Sequence, residues 1–220
     1  MSGLRFKIIA VDGGAASGKS STSRRVAAAL HLLHVDTGAH YRAVTHAGLA
    51  AAVSPEAGPA LLDFLNKLDL AIAIEGREAR IRLNGSVPDD AALRSAAINA
   101  NVSRFAAQPA VRDAVKTYQR EHATVAKAAG FSGLIMDGRD IGTVIFPDAD
   151  LKIFLTADEA TRAARRADEG HADTISARDK MDAARKTAPL LAAEDAVLID
   201  NSALPLEAVV AQVIELVKRV

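Results

Sequence analysis

The segment Lys7–Ser20, with the sequence KIIAVDGGAASGKS, sets the architecture that the rest of the chain continues. Its first part, Lys7–Asp12, is a short and nearly continuous apolar run, which is typical of a strand covered on both faces. A glycine-rich turn follows, and the alanine-rich segment after it, Lys19–Leu30, has the composition of a helix. A buried strand that leads through a tight turn into a helix is the repeating unit of α/β proteins with a parallel sheet.

The turn itself carries a phosphate-binding motif. Residues Gly13–Ser20 fit the pattern G-x4-G-K-[ST], in which small residues let successive backbone N–H groups curl around phosphate oxygens. Lys19 can reach the β and γ phosphates of a nucleoside triphosphate, and the Ser20 hydroxyl can ligate Mg²⁺. The helix that begins here also points the positive end of its dipole at the anion. We therefore expect the donor site at Gly13, Gly14, Ala15, Ala16, Ser17, Gly18, Lys19, Ser20 and Ser21.

The remaining chain repeats the alternation of strands and helices. Further apolar runs predict core strands at residues 31–35, 133–137, 151–155 and 196–199. We expect an α/β fold of the P-loop type, with a five-stranded parallel sheet flanked by helices and joined by right-handed crossovers. Between these strands, Leu70–Glu75 and Ala79–Leu83 alternate apolar and polar residues around a turn. This pattern predicts an antiparallel hairpin within a small insert at about residues 70–90.

Composition limits the classes of protein to which the chain can belong. Its 220 residues are enough for one domain with a small insert or lid. The chain has 27 lysines and arginines together and 27 aspartates and glutamates together. The resulting net charge of zero argues against a general nucleic-acid binder. The absence of cysteine excludes a disulfide framework and a thiol nucleophile. With no membrane-length apolar run and no secretory pattern at the N-terminus, we expect a cytoplasmic protein without a membrane partner.

Polar residues also stand where the second and third core strands end. Ligands of open parallel sheets bind at the carboxyl ends of the strands. Thr37 and Arg42 follow the second strand and can hold a second phosphate, the arginine through its forked guanidinium. Asp137–Asp140, DGRD, follows the third strand, and carboxylates that flank an arginine at such a position indicate polar recognition. Asp137 is a candidate outer-sphere metal partner, and Asp140 is a candidate acceptor for an exocyclic amine.

The phosphate-binding loop alone does not identify the reaction, because GTPases share it. Asn66–Asp69 spells NKLD and matches a guanine-reading motif, but it ends a predicted helix instead of following a core strand. No aspartate in the chain begins a D-x-x-G motif. The sequence therefore disfavours a GTPase.

Taken together, the motifs resemble those of the bacterial cytidylate kinase family. The loop, Asp36–Arg42 (DTGAHYR), Asp137–Thr143 (DGRDIGT) and Ala188–Leu190 (APL) occur in the same order and at similar spacing. Asp137–Thr143 is the most specific of these segments, because adenylate and guanylate kinases do not carry it. The resemblance implies phosphorylation of CMP and dCMP by ATP with Mg²⁺, a sheet of strand order 2-3-1-4-5, and a monomer.

The resemblance also implies how an acceptor nucleotide would be recognised. Ser103, Arg112 and Asp140 would read the cytosine edge, and Asp182 would bind the ribose hydroxyls. The acceptor phosphate would be held by Thr37 and by the guanidinium groups of Arg42, Arg139 and Arg185. The full implied acceptor set is Asp36, Thr37, Tyr41, Arg42, Ser103, Arg112, Asp137, Arg139, Asp140, Asp182 and Arg185.

A lid and a domain division follow from the same resemblance. Three arginines, Arg162, Arg165 and Arg166, would begin a short lid over about residues 162–182, near the donor phosphates or the adenine; an exposed helix with solvated arginines is the simpler interpretation. Residues 1–53 and 109–220 would form the core of a single kinase domain, and residues 54–108 the acceptor-binding region. The implied catalytic residues are Lys19, Arg139, Arg185, Arg162 and Arg165.

Two departures and two other functions stay open at this stage. The family usually has an aliphatic residue at His40, which we expect on a helix surface, and arginines at the positions of Met181 and Ala183. One alternative function is another P-loop kinase, acting on a small molecule such as shikimate or a nucleoside. The other is a nucleotide-binding module without catalysis. Ser103 and Arg112, together with the DGRD segment, favour a nucleotide acceptor.

Overall fold

The computed structural model describes residues 5–168, 182 and 188–220. The strands are β1 (Lys7–Gly13), β2 (Leu32–Asp36), β3 (Leu70–Glu75), β4 (Glu78–Leu83), β5 (Gly133–Gly138), β6 (Leu151–Thr156) and β7 (Val197–Asp200). The α-helices in these ranges are α1 (Lys19–Leu30), α2 (Thr37–Ala50), α3 (Pro59–Asn66), α4 (Asp90–Leu93), α5 (Ala96–Ala106), α6 (Pro109–Ala128), α7 (Glu159–Asp168) and α8 (Leu206–Arg219). A π-helical segment, Ile141–Ile145, follows β5. Beyond Asp168, the expected lid at about residues 162–182 lies, apart from Asp182, outside the described residues.

Five strands form the parallel part of the sheet, in the spatial order β2-β5-β1-β6-β7. Counted along the chain, this order is 2-3-1-4-5, which confirms the expected order of the parallel strands. Residues 133–138 of β5 are buried throughout, because β5 lies between β1 and β2 with helices on both faces. The register places Asp36 beside Asp137, so the polar residues that end these strands meet at one edge of the sheet.

The expected count of five strands is wrong, because the hairpin joins the same sheet. β3 and β4 pair along their whole length, from Leu70 opposite Leu83 to Glu75 opposite Glu78. β4 then pairs with β2 at His34 and Glu78, and the His34 amide donates to the Arg77 carbonyl at 2.8 Å. The sheet therefore has seven strands. The physical reason is that β2 would otherwise end the sheet with unpaired backbone groups, which the hairpin covers in part.

Helices cover the two faces of the sheet with different sets of apolar residues. Alternate residues of β1 point to opposite faces: Ile9 packs with Val26 of α1 and Val213 of α8, whereas Ala10 packs with Met136 and with Ala126 of α6. This double burial confirms that Lys7–Asp12 is a strand covered on both sides. Within the described ranges, no helix combines the length and the apolar character needed to cross a membrane.

A third cluster joins helices α2, α3, α5 and α6 beside the sheet. Phe105 of α5 is fully buried at its centre. α2 approaches it closely at Gly48, where an added Cβ would lie 2.7 Å from the Phe105 ring. Glycine at this position therefore lets α5 and α6 pack against α2. Residues of α5 also line the cavity described below.

Two histidines are buried between α2 and α6, although His40 was expected on a helix surface. The His40 and His122 rings stack with centroids 5.1 Å apart, and the Tyr118 ring lies edge-on to both. His122 Nδ1 donates to the Tyr118 carbonyl at 2.9 Å, whereas Nε2 of His122 and Nδ1 of His40 are buried without a hydrogen-bond partner among the described residues. Burial lowers the pKa of His122 to about 4 and holds the pKa of His40 well below its usual value. The apolar packing of α2 on α6, which the residue type alone does not reveal, accounts for the wrong expectation.

We predict that His122 makes the fold sensitive to acid. Its pKa is about 4 in the folded chain against 6.5 ordinarily, so the unfolded chain binds a proton that the folded chain excludes. The free energy of unfolding must then fall as the pH decreases from 6.5 toward 4, by about 2 kcal/mol from this group at pH 4.5. Urea unfolding at pH 7 and at pH 4.5 measures how far the free energy of unfolding falls between the two pH values. This fall should be smaller for His122→Gln than for the wild type. His46→Gln, on α2, is the control and should lose as much stability as the wild type; equal losses in all three would contradict the prediction.

Candidate active site

A cavity of about 260 Å³ opens at the carboxyl ends of β1, β2 and β5. Most residues of both predicted sites line it, which brings the donor and acceptor sets together. From the phosphate-binding loop, the lining includes Ala15, Ala16, Ser17, Gly18, Lys19, Ser20 and Ser21. From the acceptor set, it includes Asp36, Thr37, Tyr41, Arg42, Ser103, Asp137, Arg139, Asp140 and Asp182.

The loop between β1 and α1 depends on two glycines. A Cβ on Gly13 would come within 2.1 Å of the Leu155 carbonyl oxygen, so only glycine lets β1 end this close to β6. Gly18 precedes α1 with φ +86°, a left-handed conformation that favours glycine. Gly13 itself lies beneath the cavity, at the end of β1, instead of in its wall. These two glycines determine how the loop leaves β1 and how it enters α1.

Lys19 folds back into the loop. Its Nζ atom donates to the Gly14 carbonyl at 2.6 Å and to Ser17 Oγ at 3.3 Å. Burial, with a further contribution from the Arg139 charge, lowers the pKa of Lys19 to about 7, and the carboxylates of Asp137 and Asp12 oppose that shift. A bound phosphate would add negative charge beside Nζ and favour its protonated form. The lysine is thus placed to bind phosphate oxygens.

Asp137 joins the loop to the neighbouring strands. One carboxylate oxygen accepts from Ser20 Oγ at 2.7 Å, and the other lies 2.8 Å from His34 Nε2. Burial alone would raise the pKa of Asp137, but the His34 hydrogen bond and the Lys19 charge outweigh it and hold that pKa below its usual value. Burial and the Asp137 charge raise the pKa of Asp36, which also caps α2 through the Gly38 amide. Asp137 is therefore the carboxylate of this pair that stays ionised most readily.

The oxygen atoms at this point suit a magnesium ion. The Ser20 hydroxyl and the ionised Asp137 carboxylate lie together, and Mg²⁺ prefers such ligands together with water and substrate phosphates. In the described part of the chain, no three histidine, aspartate or glutamate side chains form a metal-binding cluster. The residues present therefore fit an ion that a nucleotide brings with it, held on the protein side by one or two oxygens.

The opposite wall contains a buried ion pair. Arg112 donates to the Asp140 carboxylate and, at 3.1 Å, to the Ala106 carbonyl, and both charged side chains are almost fully buried. The Arg112 guanidinium lies 5.3 Å from the centre of the Tyr41 ring. Ser103 lines the cavity on the same side. The three residues expected to recognise a base are thus close together, although Arg112 reaches the cavity wall only through Asp140.

Apart from Arg185, the residues expected to hold a second phosphate also line the cavity. Arg139 Nε donates to Asp182 at 3.0 Å, and Arg42 donates to Asn99 at 2.6 Å. Thr37 donates to the Asp137 carbonyl at 2.8 Å and ties α2 to β5. Arg185, which was expected in this group, lies outside the described residues.

Sequence reasoning missed Arg94, which follows the short helix α4. It lines the same cavity, and its charge, like that of Arg42, lowers the pKa of Asp36. No local motif marks this arginine, because α4 and α5 bring it to the cavity from the insert. Its position adds another cation to the acceptor side.

The arginines of α7 lie against the donor loop and are not simply solvated. Arg162 donates to the Ala15 carbonyl at 3.2 Å, and Arg166 is buried and lines the cavity. Arg165 donates at 3.0 Å to the side chain of Asn201, whose own amide donates to the Ser17 carbonyl at 2.8 Å. Sequence reasoning also missed Asn201; its one signal was its position directly after the last core strand.

Comparison with known proteins identifies the family. The cytidylate kinase family model matches residues 9–219, nearly the whole chain. The chain belongs to the cytidylate kinase family. A cytidylate kinase from Streptomyces griseus is 40% identical, with 96% of this chain and 92% of that protein covered. A cytidylate kinase from Exiguobacterium sibiricum is 39% identical, and the match covers 94% of this chain and 95% of that protein.

Other similarities of this cytidylate kinase family member are broader. A bifunctional pantoate ligase/cytidylate kinase from Synechococcus elongatus is 40% identical over 96% of this chain, which corresponds to 42% of that protein. Among solved structures, TT1252 from Thermus thermophilus has a TM-score of 0.52 at 15% identity and covers 98% of this chain and 97% of that one. A shikimate kinase from Acinetobacter baumannii, in complex with shikimate, has a TM-score of 0.50 at 10% identity. The match covers 98% of this chain and 95% of that one. These two structures share the fold.

We predict that Asn201→Ala weakens both the fold and the donor loop. The substitution removes the donor to the buried Ser17 carbonyl and the acceptor for Arg165, and losing such buried partners costs about 1–3 kcal/mol. Urea unfolding should show a loss of that size, and calorimetry should show weaker ATP binding. Asn101→Ala is the matched control, because the Asn101 amide donates to the Ala97 carbonyl within α5. Equal ATP affinities for the two variants would disprove the role of Asn201.

Proposed function

We propose that this protein transfers the γ-phosphoryl group of ATP to CMP and dCMP, forming ADP and CDP or dCDP. The observation that carries the proposal is that one cavity reaches from the phosphate-binding loop to the buried Arg112–Asp140 pair. A triphosphate on the loop and a monophosphate nucleotide against the pair would then meet between the arginines. Membership of the cytidylate kinase family supports the same reaction.

On the donor side, backbone amides of the loop and the Lys19 ammonium would bind the ATP phosphates. Mg²⁺, when bound with ATP, would offset phosphate charge, held by Ser20 with Asp137 close by. Arg162 and Arg165 lie on the same side, where their charges would face the donor. The Asn201 contact keeps Arg165 beside the loop.

On the acceptor side, the Asp140 carboxylate would accept a hydrogen bond from the exocyclic amine of cytosine. Uracil has a carbonyl oxygen at that position, which would face the carboxylate without a proton between them. Arg112 holds the carboxylate in place and stays charged at all relevant pH values. Ser103 and Asp182 would complete the contacts to the base and the ribose. This arrangement accounts for a preference for cytosine.

The transfer needs little covalent chemistry from the protein. An oxygen of the acceptor phosphate attacks the γ phosphorus in line, so neither a protein nucleophile nor a dedicated base is required. Arg42, Arg139 and Arg185 would hold that phosphate, and the guanidinium groups would offset the charge that spreads over the transferred group. Residues 162–182 would act as a lid that excludes water, which would otherwise hydrolyse ATP.

The alternative functions are less well supported. A kinase for shikimate or another small molecule has no use for a carboxylate placed to read an exocyclic amine, and a binding module has no use for arginines between two phosphate sites. We further propose a single kinase domain, with residues 54–108 as its acceptor-binding region, that acts as a monomer in the cytoplasm. The zero net charge supports the absence of a nucleic-acid partner.

We predict a specific order of acceptors. ADP release from ATP and Mg²⁺ should be fastest with CMP and dCMP and slower by roughly tenfold or more with UMP and AMP, because only cytosine matches Asp140 and Arg112. Chelation of the metal with EDTA should stop release with every acceptor. A coupled ADP assay with the four nucleotides side by side tests this. Release with shikimate instead would favour the other P-loop kinase, and no release with any acceptor would favour the nucleotide-binding module.

We also predict that Arg139→Ala impairs acceptor use. The Arg139 side chain is 21% exposed, and removing such a partly buried cation from an anion costs about 2 kcal/mol. We therefore expect kcat/KM for CMP to fall by about 30-fold, while calorimetry should show little change in ATP affinity. Arg25→Ala is the control, because Arg25 is exposed on α1 and pairs with Glu207 away from the cavity. Wild-type kinetics for Arg139→Ala would remove this arginine from the acceptor site.

A further inference from the structure

Asp12, the last residue before the phosphate-binding loop, has entered so far only as a negative charge near Lys19. It is 5% exposed and does not line the cavity. Its two carboxylate oxygens accept hydrogen bonds from the backbone amides of Ile141 and Gly142, each at 2.8 Å. These amides begin the π-helical segment that directly follows Asp140. A side chain at the end of β1 therefore holds the segment that carries the base-reading carboxylate.

Asp12 accepts hydrogen bonds that the residue just before a helical segment normally accepts. The first amides of a helical segment lack partners within it, and the side chain of the residue just before the segment usually accepts from them. That residue is Asp140, an aspartate and so well suited to the role, yet its side chain makes no such bond. It pairs with Arg112 instead. Asp12 thus satisfies the amides from another strand and leaves Asp140 available for the cavity.

We propose that Asp12 is a positioning residue that sets base selectivity by keeping Asp140 turned toward Arg112 and the acceptor base. The inference rests on the proposed function, since selectivity for cytosine is what Asp140 would supply. Without Asp12, the Ile141 and Gly142 amides would be buried and unpaired. The nearest carboxylate that could satisfy them is Asp140 of the same turn. Asp140 would then leave Arg112 and the base.

The charge of Asp12 supports this role. Burial raises its pKa to about 6, and the bonds from Gly142 and Ile141 oppose the shift, so the carboxylate is largely ionised above neutral pH. Hydrogen bonds to an ionised acceptor are the stronger kind. The Lys19 charge nearby also lowers the pKa of Asp12, so the same carboxylate lies between the donor lysine and the acceptor segment.

A double-mutant cycle on selectivity tests the proposal. The quantity measured is the ratio of kcat/KM for CMP to that for UMP, in the wild type, Asp12→Ala, Asp140→Asn and the double variant at pH 7.5. Asp12→Ala should lower the ratio by about tenfold, as expected for loss of one charged hydrogen bond to the base, with KM for ATP within about twofold of the wild type. Because Asp12 acts through Asp140, the double variant should have the same ratio as Asp140→Asn alone.

Controls separate positioning from mere stability. Asp150→Ala also removes a carboxylate that accepts a backbone amide at 2.8 Å, from Ile8, but near the start of β1 and away from the cavity. It should lower the free energy of unfolding and leave the CMP to UMP ratio unchanged. Asp12→Asn keeps the size of the side chain and one acceptor oxygen, so it should give an intermediate ratio. If Asp12→Ala does not fold, the CMP to UMP ratio of Asp12→Asn tests the proposal instead.

The outcomes are distinguishable. A wild-type ratio in both Asp12 variants, or ratios that multiply in the double variant, would overturn the proposal, because Asp12 would then act on stability alone or independently of Asp140. A wild-type enzyme without preference for CMP over UMP would overturn the proposed function itself, before any variant is compared.

Discussion

The placement of β5 between β1 and β2 is the constraint on which the site depends. Parallel pairing brings the carboxyl ends of the three strands to one edge, where Asp12, Asp36 and Asp137 all lie. Three carboxylates at a largely buried edge repel one another and lose hydration. Each is therefore held by its own partners: backbone amides for Asp12, the Gly38 amide for Asp36, and Ser20 with His34 for Asp137.

This concentration of negative charge explains why the cations gather where they do. Lys19 is buried beside these carboxylates, and the cavity is lined by Arg139 after β5, Arg42 of α2 and Arg94 after α4. In the absence of nucleotide, burial and the Arg139 charge work against the protonated lysine, whose pKa is lowered to about 7. Phosphate groups would reverse that balance, because they supply the negative charge that the cations lack. The site is thus electrostatically prepared for two polyanions.

The acceptor wall depends on a different constraint, which is the packing of helices. Gly48 lets α2 approach Phe105, and this contact positions α5, which carries Ser103 at the cavity, and α6, which carries Arg112 against Asp140. Burying the Arg112–Asp140 pair costs hydration and contributes little to stability by itself. In the proposed function the pair serves recognition of the base. The Ala106 carbonyl accepts from Arg112, and the Asp12 carboxylate accepts from the amides that follow Asp140.

The sequence by itself determined the parts of this protein whose residues are consecutive. The phosphate-binding loop, the strand before it and the DGRD segment each act through neighbouring residues, so their patterns predicted them, and the resemblance predicted the order of the parallel strands. The contacts between distant segments became visible in the folded chain alone: the hairpin on β2, the buried His40, Arg94 in the cavity, and Asn201 on the loop. Asp12 and Ile141 are 129 residues apart. No local pattern signals such a bond, because it exists only once β1 and β5 lie side by side.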